Sequence, residues 1–254
     1  MFELVLGDCV SVMSKMPDES VDFVFADPPY HLSNGGLSVS SGRAVSVNKG
    51  TWDESKGLDE DLDFHLSWLS EVKRILKPHG SLVVSGTYHS IYRCGFALER
   101  LDFRILNEIV WFKPNGAPNL TGRNFAASHE TLIWASKSKQ AKHTFNYQLM
   151  KDYEAPSDSL RNPGKQMRDV WSIATTPARE KVLGKHPTQK PLELLRRFVL
   201  ACSNSGDLVL DPFSGSGTTG VAAIGLGRRF IGIDNNPEYL ELSRARIVNE
   251  GGNS

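Results

Sequence analysis

No apolar run in this 254-residue chain approaches the roughly 18–20 residues that a membrane-spanning helix needs, so the sequence excludes such a span. It carries no basic leader with a cleavage site. A strand-like stretch begins at once with Glu3 to Leu6, and no signal peptide is expected. Cysteine is scarce. Cys9, Cys94 and Cys202 are odd in number and far apart, which fits neither a disulfide framework nor a zinc site, and suits buried thiols in a reducing cytoplasm. The seven histidines form no pair at metal-ligand spacing with an acidic partner, so no catalytic metal is expected. Net charge is absent too, with 29 Lys and Arg against 29 Asp and Glu, which denies the chain the basic field common in nucleic-acid binders. Repeats and low-complexity segments are missing.

What is present is a chain 40% hydrophobic, long enough for one sizeable core and read as a single domain over residues 1–254. Its pattern alternates strands and helices, the signature of an α/β sheet with mostly parallel strands. Strands are predicted at Leu4–Leu6, Val21–Ala26, Ser81–Gly86, Ile105–Phe112, Thr131–Ala135, Leu208–Leu210 and Phe230–Ile233. Helices are predicted at Cys9–Met16, Leu62–Leu76, Ser90–Leu101, Pro191–Cys202, Thr218–Leu226 and Pro237–Asn249. Lys77-Pro78-His79-Gly80 reads as a helix stop and turn. Residues 34–51, 113–127 and 137–184 lack periodicity, apart from a short strand-like piece around Val170–Ile173. Long unpatterned loops are usually functional or disordered, and these are read as facing substrate. Basic residues cluster at Lys137, Lys139, Lys142 and His143, at Arg161, Lys165 and Arg168, and at Arg179, Lys181, Lys185 and His186. Such runs are either solvated faces or phosphate contacts.

The segment Leu208-Val209-Leu210-Asp211-Pro212-Phe213-Ser214-Gly215-Ser216-Gly217-Thr218-Thr219 is an apolar strand, a glycine turn and a helix start. Gly215 and Gly217 permit positive φ and a close ligand, so a branched side chain at either should enter the ligand volume. Thr218 or Thr219 can cap the helix. Asp234, followed by Asn235, ends the next strand, where a carboxylate can accept from a ribose diol. Gly220 completes a dinucleotide-type spacing, but an acidic residue at the strand end repels a pyrophosphate. It suits the cationic amino group of a methionine moiety, which favours S-adenosylmethionine over a dinucleotide.

Asp27-Pro28-Pro29-Tyr30 is the most informative tetrapeptide. The buried-strand run Phe23-Val24-Phe25-Ala26 delivers Asp27 to a strand's carboxyl end, where open α/β sheets bind ligands. Two prolines remove two N–H donors and leave acceptors, the Asp27 carboxylate and the Pro28 carbonyl. Two acceptors can hold both protons of an exocyclic amino group and turn its lone pair out of the ring plane. Tyr30 offers a face on which a flipped base can stack, at about 1–3 kcal/mol. The bland alternative is a rigid Pro-Pro turn.

With these residues in view the chain resembles the β-class amino-methyltransferases of DNA, in which Asp-Pro-Pro-Tyr comes early and the cofactor turn late. The resemblance includes Gly7-Asp8-Cys9, Leu76-Lys77-Pro78 with Gly80-Ser81, Asn107 to Trp111, His129 to Ala135, and His186-Pro187-Thr188-Gln189-Lys190-Pro191. It implies a circularly permuted Rossmann-like methyltransferase fold, a seven-stranded sheet with one antiparallel strand and helices on both faces. It implies Asp27, Pro28, Pro29 and Tyr30 as the catalytic set. It places Asp8, Cys9, His186, Thr188 and Lys190 beside the cofactor with the glycine turn, and Asp8 on the cofactor's adenine. Ser33 to Gly36, Val45 to Val47 and Trp52-Asp53 look most like the short adenine methyltransferases of GATC restriction systems that tolerate single-stranded DNA. The implied partners are DNA in both forms, with a cognate restriction endonuclease and a homodimer left open.

Arg43, Lys49, Arg123 and Asn124 lie in the unpatterned loops and, with His31, which follows the catalytic motif and could line a base pocket, are the candidates for DNA contact. Trp111 and Trp134 are assigned to the core. Cytosine N4 as the acceptor and GANTC as the site stay as alternatives. So does a methyltransferase acting on protein glutamine through Asn-Pro-Pro-Tyr, although Asp27 and the motif order speak against it. A nucleotide-binding regulatory module would explain the glycine turn but not Asp27 to Tyr30.

Overall fold

The computed structural model describes residues 1–30, 57–119 and 122–251, and by their backbone alone residues 37–40 and 43–46. One mixed sheet of eight strands forms its centre. The strands are β1 (Phe2–Leu6), β2 (Val21–Ala26), β5 (Leu76–Gly86), β6 (Arg104–Phe112), β7 (His129–Ser136), β8 (Val170–Ser172), β9 (Leu208–Asp211) and β10 (Arg229–Asp234). They lie in the order β1-β10-β9-β2-β5-β7-β6-β8. Only β7 runs against its neighbours β5 and β6; every other pair is parallel. The expected single antiparallel strand is there. The expected count of seven becomes eight because Val170–Ser172 adds to the β6 edge.

The sheet is covered on both faces, as parallel sheets require. Alternate residues of β2 point to opposite sides. Phe23 and Phe25 pack with Phe198, Ala222 and Ile247, from helices α5 (Leu192–Cys202), α6 (Thr218–Gly225) and α7 (Pro237–Gly251). Val24 and Ala26 pack with Met13, Trp68 and Ile91, from α1 (Cys9–Met13), α2 (Leu58–Ile75) and α3 (Ile91–Arg100). Trp111 and Trp134 are buried as expected, and so are all three cysteines. None of the described helices is long and apolar enough to cross a membrane.

The turn expected at Lys77 to Gly80 is instead taken into β5. Val21 pairs with Leu76 and Phe23 with Ser81, so residues 77–80 bulge opposite the single residue Asp22. The buried Asp22 carboxylate holds the bulge: it accepts from Lys77 Nζ at 2.8 Å, from the Leu208 amide at 2.9 Å, and pairs with His79 Nε2 at 3.0 Å. Burial works to raise the Asp22 pKa, but Lys77, the Leu208 N–H and His79 hold it below the usual carboxylate range. A depressed folded-state pKa stabilises the protein above the unfolded value and loses that contribution as pH falls. Asp22→Asn is therefore expected to cost on the order of 2 kcal/mol at pH 7, moderated by the partial exposure of Lys77. The gap in melting temperature from wild type should close below about pH 4. An equal gap at pH 7 and pH 3 would remove the ionic explanation.

The unpatterned stretches hold more structure than their sequence signals. A hairpin, β3 (Leu37–Ser40) with β4 (Arg43–Ser46), lies within 34–51. Residues 137–184 contain α4 (Tyr147–Asp152) and a 3-10 turn (Ala178–Lys181) as well as β8.

Candidate active site

Parallel pairing of β2 with β9, Val24 opposite Leu210, brings the carboxyl ends of the two motif-bearing strands together. Between them opens a cavity of about 710 Å³. Asp27, Pro28, Pro29 and Tyr30 line it, with Asp8, Cys9, His186, Thr188, Lys190, Asp211, Pro212, Phe213, Ser214, Gly215, Ser216, Thr218, Asp234 and Asn235. Every residue assigned to catalysis or cofactor from sequence thus meets at one place, except Gly217.

Gly217 faces elsewhere. It is the N-cap of α6 with φ of 71°, and a Cβ built on it falls 2.0 Å from Ser243 Oγ of α7. The glycine is needed for helix packing, not for ligand volume. Nor do the threonines cap α6: Thr219 Oγ1 donates to Asp211 Oδ2 at 2.5 Å, and Thr218 Oγ1 accepts from Arg246 at 2.9 Å. Gly215, also at positive φ, does face the cavity; its Cβ would sit 3.1 Å from the His186 ring.

The carboxylates of the cofactor side are built into the turn. Asp234 accepts from the amides of Gly215 and Asn236, both at 2.8 Å. Asp211 accepts from the Phe213 amide at 3.0 Å and from Thr219, and burial pushes it up to about 7. Asp8 caps α1 by accepting from the Ser11 amide at 2.9 Å. Burial, then Asp8, pushes the Cys9 thiol up to about 12, so it is no nucleophile at neutral pH.

The catalytic side is a buried charge cluster. Lys190 Nζ donates to Asp27 Oδ2 at 2.5 Å and lies 3.4 Å from Glu130 Oε2. Tyr30 donates its hydroxyl to Asp27 Oδ1 at 2.5 Å, with Ser85 Oγ 2.8 Å and Glu130 Oε2 3.1 Å away. Lys113 Nζ reaches Glu130 Oε1 at 3.1 Å. Burial pushes the Asp27 carboxyl up and Lys190 opposes it most. Burial also works to raise Glu130, but Lys190 and Lys113 bring it down to about 2. Burial and Asp27 push the Tyr30 hydroxyl well above its ordinary value, so it stays a donor. Lys190 lies over one face of the Tyr30 ring, 5.1 Å from its centre.

Sequence reasoning missed Ser85, Lys113 and Glu130 in this cluster. It also missed the α2 wall of the cavity, Glu60, Asp61, Asp63, Phe64 and Ser67, and Tyr239 of α7. No local pattern marks them; only the fold brings them to Asp27. Of the DNA candidates, His31 and Lys49 lie outside the described residues, as do Ser33 to Gly36, Val47, Trp52 and Asp53. Arg43 starts β4 with its side chain outside the description. Arg123 and Asn124 are exposed in the β6–β7 connection, beside the fully exposed Phe125. Two of the basic residues are structural: Arg161 donates to the carbonyls of Met150, Lys151 and Tyr153, and Lys137 to Glu19 and the Leu76 carbonyl.

The cavity suits a small cationic molecule with a flat ring. Asp8, Asp27, Asp211 and Asp234 supply negative charge, while Phe213, 6.1 Å from Phe64 between ring centres, offers aromatic surface. Ser214 Oγ and Gln189 Oε1 are buried with no hydrogen-bond partner among the described residues, and both residues line the cavity. Buried polar atoms are normally satisfied, so a ligand is the fitting partner. Among the described residues no group of three His, Cys, Asp or Glu side chains could hold a metal.

Comparison with known proteins agrees with this chemistry. The N6/N4 DNA methylase family model matches residues 21–245. The chain is 52% identical over 248 residues to the type II methyltransferase M2.DpnII of Streptococcus pneumoniae, covering 97% of this chain and 90% of that protein. It is 49% identical over 245 residues to M2.LlaDCHI of Lactococcus lactis subsp. cremoris, covering 96% and 88%. The crystal structure of the M1.HpyAVI–SAM complex superposes with a TM-score of 0.68 at 26% identity, covering 97% of this chain and 99% of that one. The acceptor Asp27 and the glycine turn lining one cavity, together with these likenesses, lead to one conclusion: the chain belongs to the N6/N4 family of DNA methylases.

Proposed function

We propose that this protein methylates adenine N6 in GATC and accepts single-stranded as well as duplex DNA. The whole chain acts as one methyltransferase domain, with its recognition loops at about 34–51, 113–127 and 137–184. The observation that carries the reading is Asp27, a partly buried acceptor just past the end of β2 that lines the same cavity as the glycine turn. S-adenosylmethionine would supply an electrophilic methyl group on its sulfonium sulfur and leave as the thioether S-adenosylhomocysteine once the nitrogen has taken that methyl. Asp27 and the Pro28 carbonyl hold the two amine protons, so the nitrogen lone pair points out of the base plane. No proton need leave first; it becomes acidic only as the new bond forms. Positioning, together with acceptors that favour the developing positive charge, then lowers the barrier. A cognate restriction endonuclease and a homodimer belong to the same reading; the type II names of the relatives support the first.

Asp rather than Ser at position 27 favours adenine over cytosine. The GATC assignment rests on the resemblance of Ser33 to Asp53 and on the identity to M2.DpnII. Strand tolerance has a physical argument. A chain without net charge gains little from phosphate neutralisation, and a base already unstacked spares the few kcal/mol of flipping. Nucleoside mass spectrometry of methylated DNA should show N6-methyladenine; a dominant N4-methylcytosine peak reverses the choice. Initial rates on matched oligonucleotides should be comparable for single and double strands bearing GATC. Strict duplex dependence removes the strand claim, and activity on GANTC alone removes the site. Arg123→Ala should flatten the salt dependence if it meets phosphate and relax sequence choice if it reads a base.

A further inference from the structure

Lys190 comes from a stretch that sequence places with the cofactor, yet its ammonium is turned to the catalytic carboxylate. We infer that Lys190, clamped by Glu130, is a positioning residue for the methyl-transfer step: it fixes the Asp27 carboxylate in its ionised, accepting form. The inference rests on the reading of Asp27 as the acceptor for the target amine.

The geometry is that of a fixed strut. Lys190 sits two residues before α5. Thr176 Oγ1 donates to the Gln189 carbonyl at 2.5 Å, and Gln189 Nε2 to the Glu180 carbonyl at 2.8 Å. Glu180 in turn accepts from the Leu192 amide at 2.9 Å, at the helix start. The side chain is almost fully buried, so its charge is poorly screened. It meets Asp27 Oδ2, while Tyr30 meets Oδ1, and the plane of the carboxylate is set from both sides. Glu130 holds the ammonium from β7 and is itself held by Lys113 at the end of β6.

Charge explains why such a strut is needed. Asp27 is largely shielded from solvent and faces Glu130 across the cluster, with Asp211 of β9 also close enough to interact. Both conditions favour the protonated acid, and a protonated carboxyl presents one acceptor fewer to the amine. Lys190 is the principal influence in the opposite direction. A cofactor ligand would instead direct its ammonium toward the glycine turn.

The test compares Lys190→Met, Lys190→Arg and Glu130→Gln in the full-length protein. Lys190→Met should lower kcat by about a hundredfold or more and leave KM for S-adenosylmethionine, and affinity for S-adenosylhomocysteine, within about threefold. The acid limb of its kcat profile should move up by at least about one pH unit. Lys190→Arg should recover part of the rate and reverse most of the shift, whereas Glu130→Gln, by removing a negative charge that favours the acid, should move the limb downward. The Asp27 carboxyl, followed by carbon NMR in wild type and variants, should titrate higher once Lys190 is gone. Should Lys190→Met not fold, the Lys190→Arg and Glu130→Gln profiles and titrations carry the decision. Tenfold weaker S-adenosylhomocysteine binding with kcat retained would make Lys190 a cofactor ligand and overturn the inference. An unmoved Asp27 titration overturns it too. A wild-type protein inert on DNA defeats the reading of Asp27 as methyl-transfer acceptor, and the NMR titration still decides whether Lys190 sets its ionisation.

Discussion

Asp27→Ala is expected to bring methyl transfer below about 1% of the wild-type rate while leaving the protein folded. Two effects combine. The acceptor that orients the target amine is lost, and Lys190 and Tyr30 lose the partner they share. The cavity wall around Pro212 to Ser216 is built from other residues, so S-adenosylhomocysteine affinity should fall by less than about tenfold. Asp27→Asn should fall between, because it keeps one acceptor but turns an N–H toward Lys190 or the amine. Initial rates at saturating methyl donor, paired with calorimetry, separate the two quantities. Turnover above a few per cent in Asp27→Ala would falsify the assigned role.

The second large effect is one of stability. Gly217→Val places a branched side chain at φ of 71°, with its Cβ 2.0 Å from Ser243 Oγ and 2.8 Å from Ser243 Cβ. Ser243 is fully buried, and α7 is tied to the same turn by Arg246, which donates to the Ser216 carbonyl at 2.5 Å. Left-handed strain and overpacking together should cost about 3 kcal/mol or more. In a chain of this size that lowers Tm by about 10 °C. Gly215→Val should behave otherwise. It shares the left-handed strain, but its Cβ lies 3.1 Å from the His186 ring rather than inside a buried helix contact, so ligand affinity should fall at least about tenfold with a smaller change in Tm. Two glycines separated by one residue thus give opposite signatures in melting and in calorimetry. A Gly217→Val protein that melts like wild type would refute the packing role.

That contrast marks the boundary of what was legible in the amino-acid sequence. Asp27 and Asp211 were legible because strand, turn and chemistry fall within a dozen consecutive residues. The strand positions were legible because the apolar runs and breakers are local signals. The partner of Gly217 was not, because Ser243 reaches it only through packing of α7. Glu130 and Lys113 are ordinary residues of β7 and the end of β6 until the antiparallel pairing sets them beside Ser85 and Tyr30. The bulge at residues 77–80 contains a proline and a glycine, which read locally as a turn; the distant Asp22 carboxylate absorbs them into the strand. Helix α4 escaped notice because it is short and mostly exposed, and its end is held by the Arg161 guanidinium on backbone carbonyls.

The pairing of Phe23 with Val209 has a consequence for synthesis. Strand β2, buried along its whole length, leaves the ribosome early, yet its neighbour on one side is made almost at the end, and β1 must wait for β10. At about 20 residues per second the interval is roughly ten seconds, long enough for an unpaired apolar strand to meet other chains. Contacts this distant in sequence also make folding slow once the chain is free. Yield should therefore depend on chaperones and on lowered growth temperature more than the stability of the finished protein suggests. A nascent chain halted before residue 208 should neither bind S-adenosylhomocysteine nor resist proteolysis at β2.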